Sequence, residues 1–302
     1  MTTWLQHPKY ASTRDRLIEY LRSAKYRFRR LDPVLFLCGG AGSKRRDTLR
    51  DYLRKHKPWI NVFYAELVWD LLSSQVGLSA LKVERDLAAL ADLVVIIVES
   101  PGTFAELGAF SLSDELRKKL LPIVDVSFQG VPSFITTGPL RWINSESMFA
   151  PTIYVSLPRI LQSVDEVEDR IGRIARTGSV RITDLAASPK HLLFFICDLV
   201  AVIHPTTGDA VEYYLQRIAP SLLGSDISVP TLLGLATAMG LLRTKRLAGN
   251  DVYYMPADAA AIERPYHHTR MLDLPSQRAA HAEALLSIQE ARSVMDALGR
   301  LP

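Results

Sequence analysis

Residues 93–98 constrain the fold more than any other stretch, because six consecutive apolar residues, most of them β-branched, stand there together. Such a run suits a strand that is covered on both faces in a parallel sheet. It leads into residues 100–103, a small-residue turn at the expected start of a helix. Ligands of parallel sheets bind beyond the carboxyl ends of the strands, so this turn predicts a binding edge.

Glu106 follows that turn inside the expected helix. Three interpretations are open for it. It complements the dipole of the first turn, or it completes a capping box with Thr103, or it is a nucleophile that faces the crevice. Spacing alone does not choose among them.

A second strand, turn and helix precede this one. Residues 34–38 form an apolar run that ends in Gly39-Gly40-Ala41-Gly42-Ser43, and a helix is predicted over residues 44–55. Glycines let the backbone approach a ligand closely, and Ser43 can cap the helix. The spacing matches neither the dinucleotide-binding fingerprint nor the P-loop, so it is a weak phosphate motif.

Composition indicates a globular chain. Of 302 residues, 48% are hydrophobic and 23% charged, which allows two domains. We expect no transmembrane helix and no signal peptide, and a cytoplasmic location. Cys38 and Cys197 are expected to be buried rather than disulfide-bonded. The histidines lack metal-ligand spacing, so no metal site is predicted.

The positive charge is concentrated at one end of the chain. Residues 1–60 contain 15 Lys/Arg against 5 Asp/Glu. A first basic helix is predicted to carry Arg14, Arg16, Arg22, Lys25, Arg27, Arg29 and Arg30, and a second one Lys44, Arg45 and Arg46. These are either solvated helix faces or a surface for nucleic-acid phosphates.

The order of elements predicts two different halves. Apolar strands near residues 60–63, 123–126 and 152–155 alternate with helices, which indicates an α/β fold with a three-layer parallel sheet. From about residue 163 the pattern becomes helical. We therefore divide the chain into a basic N-terminal helix (1–32), a catalytic α/β domain (33–160), a winged helix-turn-helix domain (163–274) and a C-terminal helix (275–302).

The winged-helix prediction rests on several helices followed by a basic hairpin with the turn Ala248-Gly249-Asn250. Residues 229–242 occupy the position of a recognition helix but are strongly apolar, which disfavours reading of base edges. Arg243, Lys245 and Arg246 suit phosphate contacts better. The alternative is a module for protein contacts. The terminal helix, predicted over residues 276–298, packs on its own domain or on another subunit.

Four segments together resemble a known family: residues 35–40, 64–66, 90–95 and 100–110, the last with the core Gly102-Thr103-Phe104-Ala105-Glu106-Leu107-Gly108. They resemble effectors of type II bacterial retrons, which join a Rossmann-like, nucleoside deoxyribosyltransferase-like domain to a winged helix. The core itself is similar to that of deoxyribosyltransferases and of cytokinin-activating phosphoribohydrolases, so it specifies an N-glycoside-cleaving superfamily better than a substrate.

The resemblance implies a toxin of anti-phage defence. A reverse transcriptase and its multicopy single-stranded DNA hold such an effector in check, and its release leads to cleavage of NAD. NAD is then the substrate, and no cofactor is implied. Assembly into an oligomer or with the ribonucleoprotein is expected. The open alternatives are a nucleoside or nucleotide deoxyribosyltransferase or N-glycosidase, and a non-catalytic nucleotide-sensing regulator.

Glu106 matches the nucleophile of deoxyribosyltransferases, which makes it the predicted catalytic residue. The expected substrate-binding residues are Gly39, Gly40, Gly42, Glu66, Glu99, Ser100, Gly102 and Thr103. Glu66 is assigned to a ribose hydroxyl, and Glu99 to the leaving base or to fixing the loop. Glu99 stands where deoxyribosyltransferases have an aspartate, which puts base specificity in doubt. Asp92 precedes the central strand and is expected to be a structural residue far from the crevice.

Overall fold

The structure is a computed structural model, and it describes residues 3–23, 27–31, 33–64, 90–175, 180–224, 228–247, 249–255, 266–268 and 274–299. It divides into two compact units. The α/β unit comprises residues 32–176, and the helical unit comprises residues 1–31 together with 177–302.

The strands of both units are short, and those of the α/β unit are mostly apolar. In chain order they are β1 (Arg27–Leu31), β2 (Val34–Cys38), β3 (Asn61–Phe63), β4 (Leu93–Val98), β5 (Leu120–Asp125), β6 (Ile153–Val155), β7 (Val180–Arg181), β8 (Thr206–Thr207), β9 (Arg243–Leu247), β10 (Asn250–Tyr254) and β11 (Tyr266–His268).

The α-helices are α1 (Pro8–Arg22), α2 (Lys44–His56), α3 (Pro101–Leu112), α4 (Asp114–Arg117), α5 (Phe134–Thr137), α6 (Pro139–Glu146), α7 (Val164–Gly172), α8 (Pro189–Ile203), α9 (Gly208–Ile218), α10 (Val229–Ala238), α11 (Leu274–Leu286) and α12 (Gln289–Ala297). Segments of 3-10 helix span Thr3–Gln6, Val126–Phe128, Leu157–Ser163, Ile182–Ala187 and Pro220–Gly224.

The α/β unit is built on a five-stranded parallel sheet in the order β3-β2-β4-β5-β6. The predicted α/β fold is therefore confirmed. All six residues of β4 and all five of β2 are buried, as expected of central strands with both faces covered. Numbered within this sheet alone, the order is 2-1-3-4-5, which is that of flavodoxin-like proteins and reverses direction between β2 and β4.

The C-terminal boundary of the predicted catalytic domain lies further along the chain than predicted. The prediction ended it at residue 160, but α7 belongs to the α/β unit. Val164, Val167 and Ile171 of this helix join the core beneath the sheet. Helical periodicity identifies the apolar face of a helix but not the domain that covers it, which explains the misplaced boundary.

The helical unit contains helices followed by a hairpin in the predicted order, and its assignment as a winged helix stays a prediction. After α8 the chain forms β8, α9 and α10 and then the hairpin β9–β10, and the three strands pair in the order β8-β10-β9. The hairpin closes with Leu247 opposite Asn250, and Gly249 has a φ of +81° that favours glycine. In α10, Val229, Leu232 and Leu235 are buried, as the apolar pattern predicted.

The two ends of the chain are part of this unit rather than separate helices. The N-terminal prediction is wrong for Arg27, Arg29 and Arg30, because these residues lie on β1, which pairs with β11 and β7. The predicted terminal helix is divided into α11 and α12. Its apolar stripe is buried within the chain, at Leu285, Ile288, Ala291 and Met295.

A buried hydrogen-bonded triad joins α1, α9 and α11. The hydroxyl of Tyr10 is hydrogen-bonded to the hydroxyl of Tyr214 at 3.0 Å and to Nδ1 of His281 at 2.9 Å. His281 is fully buried, and its Nε2 has no hydrogen-bond partner among the described residues. Burial, helped by the charges of Arg278 and Arg16, lowers the pKa of His281 to about 3. The imidazole is therefore neutral in the folded chain.

Both cysteines are buried and reduced, as predicted. Within the described residues, no helix is long and apolar enough to cross a membrane, and no group of His, Cys, Asp and Glu side chains is arranged to hold a metal ion.

We predict that acid destabilises the helical unit through His281. The unfolded imidazole, with a pKa near 6.5, binds a proton that the folded one does not, so stability is lost as the pH falls from about 6.5 toward 3. Between pH 7 and pH 5 this loss is about 2 kcal/mol. Amide hydrogen exchange across α11 measures it.

His281→Gln should remove that pH-dependent loss, whereas His56→Gln, at an exposed site on α2, should keep it. An equal loss in wild type and His281→Gln would contradict the assignment.

Candidate active site

The candidate active site lies at the carboxyl edge of the sheet, where the turns after β2 and β4 face each other. Residues 39–43 follow β2 and lead into α2, and residues 99–100 follow β4 and lead into α3. Because β2 pairs with β4 while the chain leaves to form β3 on the other side, a crevice opens between these turns. This is the edge that the sequence predicted.

The glycine turn after β2 packs closely against α2 and against the turn after β4. A Cβ on Gly39 would lie 3.0 Å from the Cβ of Arg46, and a Cβ on Gly40 would lie 3.2 Å from that of Ser100. Gly42 has a φ of +67°, so glycine is favoured there by backbone conformation. Ser43 caps α2 as predicted, since its Oγ accepts a hydrogen bond from the N–H of Arg46.

Ser100 and Thr103 form the capping box of α3. Oγ of Ser100 accepts from the N–H of Thr103, and Oγ1 of Thr103 accepts from the N–H of Ser100 at 2.9 Å and of Glu99 at 3.0 Å. Thr103 is fully buried. These two predicted substrate contacts therefore shape the turn, while Gly102 is exposed in the first turn of the helix.

The structure excludes both structural interpretations of Glu106. The capping box is closed by Ser100 and Thr103, and the first turn of α3 contains no acidic residue. Glu106 lies in the second turn, beside the stripe of Thr103, Leu107 and Phe110 that faces the core. Its Oε2 is buried. The nucleophile interpretation of Glu106 stays a prediction.

Glu99 connects the two turns. Its Oε1 accepts from the N–H of Gly40 at 3.0 Å, and its Oε2 accepts from Nη1 of Arg45 at 2.7 Å. The Glu99 side chain is only 5% exposed. Of its two predicted roles, these contacts support fixing the loop.

Of the three predicted nucleic-acid contacts on α2, burial argues against Arg46, while the Arg45 side chain remains 41% exposed. Arg46 is buried, with its guanidinium 4.1 Å from the centre of the Tyr64 ring, and Arg45 is paired with Glu99. Lys44 is exposed. A run of cations in the sequence does not show which of them reach solvent, because aromatic and acidic partners come from distant segments.

Two further residues lie at the same edge and were not predicted as site residues from the sequence. Tyr64 follows β3 and donates a hydrogen bond to Asp47 at 3.0 Å, and burial together with this bond raises the pKa of Tyr64. Asp125 ends β5, and hydrogen bonds from the hydroxyl and N–H of Ser127 and the N–H of Leu157 lower its pKa. Their positions at strand ends were the signal available.

The remaining predicted residues lie elsewhere. Asp92 is at the amino edge, where its Oδ2 accepts from the N–H of Val34 at 2.8 Å, as expected of a structural residue. Glu66 lies outside the described residues. On the hairpin, Arg243, Lys245 and Arg246 are exposed, and Lys245 donates to the carbonyl of Ala297 at 2.7 Å.

The fold and site define an α/β protein with a carboxylate beside its topological switch point, combined in one chain with a helical unit that bears a basic hairpin. The family model of the STM3845 retron effector protein matches residues 42–244. The chain belongs to this family of retron effectors, which confirms the family suggested by the sequence motifs.

Two relatives from Escherichia coli agree with this membership. The chain is 40% identical over 130 residues to the "Retron Ec86 putative ribosyltransferase/DNA-binding protein", over 41% of this chain and 42% of the relative. It is 34% identical over 149 residues to the "Retron Ec73 putative ribosyltransferase/DNA-binding protein", over 46% of this chain and 47% of the relative. The matched segments thus span less than half the length of either relative.

We predict that Glu99→Ala destabilises the α/β unit by about 2 kcal/mol, because the N–H of Gly40 and the cation of Arg45 lose their acceptor. Urea unfolding at pH 7 measures the change. Glu115→Ala, which removes an exposed ion pair with Lys119, should cost less than about 0.5 kcal/mol. Equal costs for the two variants would show that Glu99 does not hold the turns.

Proposed function

We propose that this chain is the toxic effector of a retron anti-phage system and that it cleaves the N-glycosidic bond of NAD, releasing nicotinamide. The placement of Glu106 carries the proposal. A carboxylate in the second turn of a helix that begins at the switch point lies beside the crevice where an α/β fold binds its ligand. Membership in the retron effector family and the names of the two relatives support it.

The chemistry requires a single carboxylate. The bond between C1′ of the ribose and the pyridinium nitrogen breaks, and its electron pair goes to nicotinamide, which leaves as a neutral base. The carboxylate of Glu106 stabilises the oxocarbenium-like centre at C1′ or attacks it to form a glycosyl ester. Water then adds to C1′ and loses a proton; where the ester has formed, the bond between C1′ and Glu106 breaks and its electron pair returns to the carboxylate. The product is ADP-ribose. Because the leaving group is neutral, no strong general acid is needed.

The two turns are suited to hold the ribose near Glu106. Glu99, Arg45 and the capping box of α3 fix their geometry, so the crevice is formed before the substrate arrives. Preformed geometry lowers the entropic cost of orienting C1′ toward the carboxylate. Gly40 serves this arrangement by donating its N–H to Glu99 rather than to a substrate.

We further propose that a reverse transcriptase and multicopy single-stranded DNA restrain this activity through the helical unit. Its hairpin presents exposed cations at Arg243, Lys245 and Arg246. The apolar helix α10 offers few side chains that could read bases, so the DNA would be bound through its backbone. The two relatives are named as DNA-binding proteins, which supports a nucleic-acid partner.

A nucleoside deoxyribosyltransferase or N-glycosidase is the second candidate. The relatives' names include a ribosyltransferase, and the same carboxylate would serve a nucleoside. Exchange of bases between two nucleosides with NAD left intact would favour this activity.

Glu106→Gln should abolish the release of nicotinamide, by about a thousandfold or more, because an amide neither stabilises nor attacks the anomeric carbon. The measurement is NAD content over time in cells that express the chain, together with nicotinamide release by purified protein. Glu115→Gln, an exposed acid on α4, is the matched control and should retain wild-type turnover.

Circular dichroism verifies that the Glu106 variant is folded. Undiminished NAD loss in a folded Glu106→Gln protein would remove the mechanism. If NAD persists in wild type while nucleoside bases exchange in a Glu106-dependent manner, the second candidate replaces the first.

The hairpin prediction concerns salt dependence. Arg243→Ser with Arg246→Ser should lower the slope of log K against log salt for a single-stranded oligonucleotide by about 1.4, because each arginine is expected to neutralise one phosphate. Fluorescence anisotropy between 50 and 300 mM salt (about sixfold) spans the regime in which counterion release dominates. Arg54→Ser with Lys55→Ser, two exposed cations on α2, should leave the slope unchanged.

A further inference from the structure

A second feature of the α/β unit is an open cleft of about 510 Å³, to which no role has been assigned above. One wall is the first turns of α2, and the other is the 3-10 segment Leu157–Ser163, which packs against that helix. The lining residues are Lys44, Arg45, Thr48, Pro158, Arg159, Ile160, Leu161 and Gln162. The volume is within the range of pockets that bind small molecules.

The charge of the cleft has one sign. Lys44, Arg45 and Arg159 are cations from two different elements, and none of the lining residues that the structure describes is acidic. Arg45 is paired with Glu99 through Nη1. A guanidinium has five N–H groups, so Arg45 can contact an anion without releasing Glu99. Three cations around one cleft suit a ligand with more than one negative charge.

Both walls of the cleft are anchored at the carboxyl edge of the sheet, the edge that carries Glu106. Arg45 binds Glu99, whose N–H donates to Thr103 in the capping box of α3. On the other wall, the N–H of Leu157 donates to Asp125 at the end of β5. One wall of the cleft is therefore hydrogen-bonded to the candidate active site, and both walls are anchored at the same edge of the sheet.

Several other lining residues are apolar, which indicates that part of the ligand is apolar as well. Pro158, Ile160 and Leu161 supply apolar surface, and Leu161 is 47% exposed. A dinucleotide presents a cleavable ribose at one end, then a diphosphate, then a second nucleoside with a flat base. Cations followed by apolar side chains match the last two parts of that order.

We propose that this cleft binds the diphosphate and second nucleoside of a dinucleotide substrate while Glu106 acts on the ribose at the other end. The inference rests on the proposed function and deepens it. It gives a physical reason for preferring a dinucleotide over a nucleoside, since a nucleoside has no charge for Lys44, Arg45 and Arg159 to contact.

The test uses ADP, which contains the diphosphate and second nucleoside but no bond for Glu106 to break. Isothermal titration calorimetry with the full chain should detect ADP binding to wild type. Lys44→Glu with Arg159→Glu should weaken ADP binding at least tenfold. Arg141→Glu with Lys55→Glu reverses two exposed cations outside the cleft, and it should change ADP binding by less than twofold.

ADP that fails to bind wild type, or that binds both double variants equally, overturns the proposal. A single-stranded oligonucleotide that binds through Lys44 and Arg159 while ADP does not also overturns it and assigns the cleft to nucleic acid. These outcomes do not depend on turnover, so they are distinguishable from failure of wild type to cleave NAD.

Steady-state kinetics provide a second test of the proposal. In the Lys44→Glu/Arg159→Glu variant, the ratio of kcat/KM for NAD to that for nicotinamide riboside should fall at least tenfold, mainly through KM for NAD. An unchanged ratio in a protein that cleaves both substrates would show that the cleft takes no part in recognising the dinucleotide.

Discussion

The pairing of β2 with β4 determines where this chain can perform chemistry. The chain visits β3 between these neighbours, so the turns that follow them leave in different directions and a crevice remains at their carboxyl ends. Glu99 then spans the crevice, and it is nearly buried. A buried carboxylate must be paired, because loss of hydration costs several kcal/mol per ion. The N–H of Gly40 and the guanidinium of Arg45 both donate hydrogen bonds to the Glu99 carboxylate. The pairing of this one side chain therefore holds the two turns at a fixed distance.

Basic residues are concentrated at this edge of the sheet, but not all of them are available to ligands. Arg46 stacks on Tyr64, Arg45 holds Glu99, and Lys44 is exposed. Three consecutive basic residues thus perform three different tasks, because successive helix positions point about 100° apart. The structural cations make the edge rigid, and the exposed one leaves it positively charged. A rigid, positive edge is compatible with the phosphate-bearing substrate proposed above.

Sequence patterns predicted the elements whose burial or turn geometry can be recognised within a short stretch of sequence. β2 and β4 were found within their bounds because a strand covered on both faces is a continuous apolar run, and the β9–β10 hairpin was found because its turn requires a residue such as Gly249. Arg27–Leu31 was missed because its basic run continues the pattern of α1, while its strand partners lie far away along the chain, at β7 and β11. The clamp role of Glu99 depended likewise on the strand order, which no short window of sequence contains.

The hairpin β9–β10 and the helices α9 and α10 do not form an independent module within the helical unit. The hydroxyl of Tyr214 on α9 is satisfied by Tyr10 from α1, and Tyr10 in turn contacts His281 from α11. Removing either terminal helix would leave buried polar groups without partners, at a cost of about 1 to 3 kcal/mol each, and would uncover apolar surface on α9 and α8. One hairpin cation is tied to the last helix of the chain, since Lys245 donates to the carbonyl at the end of α12. A partner that binds the hairpin therefore contacts a surface whose stability depends on both ends of the chain, which gives such a partner a physical route to affect the whole unit.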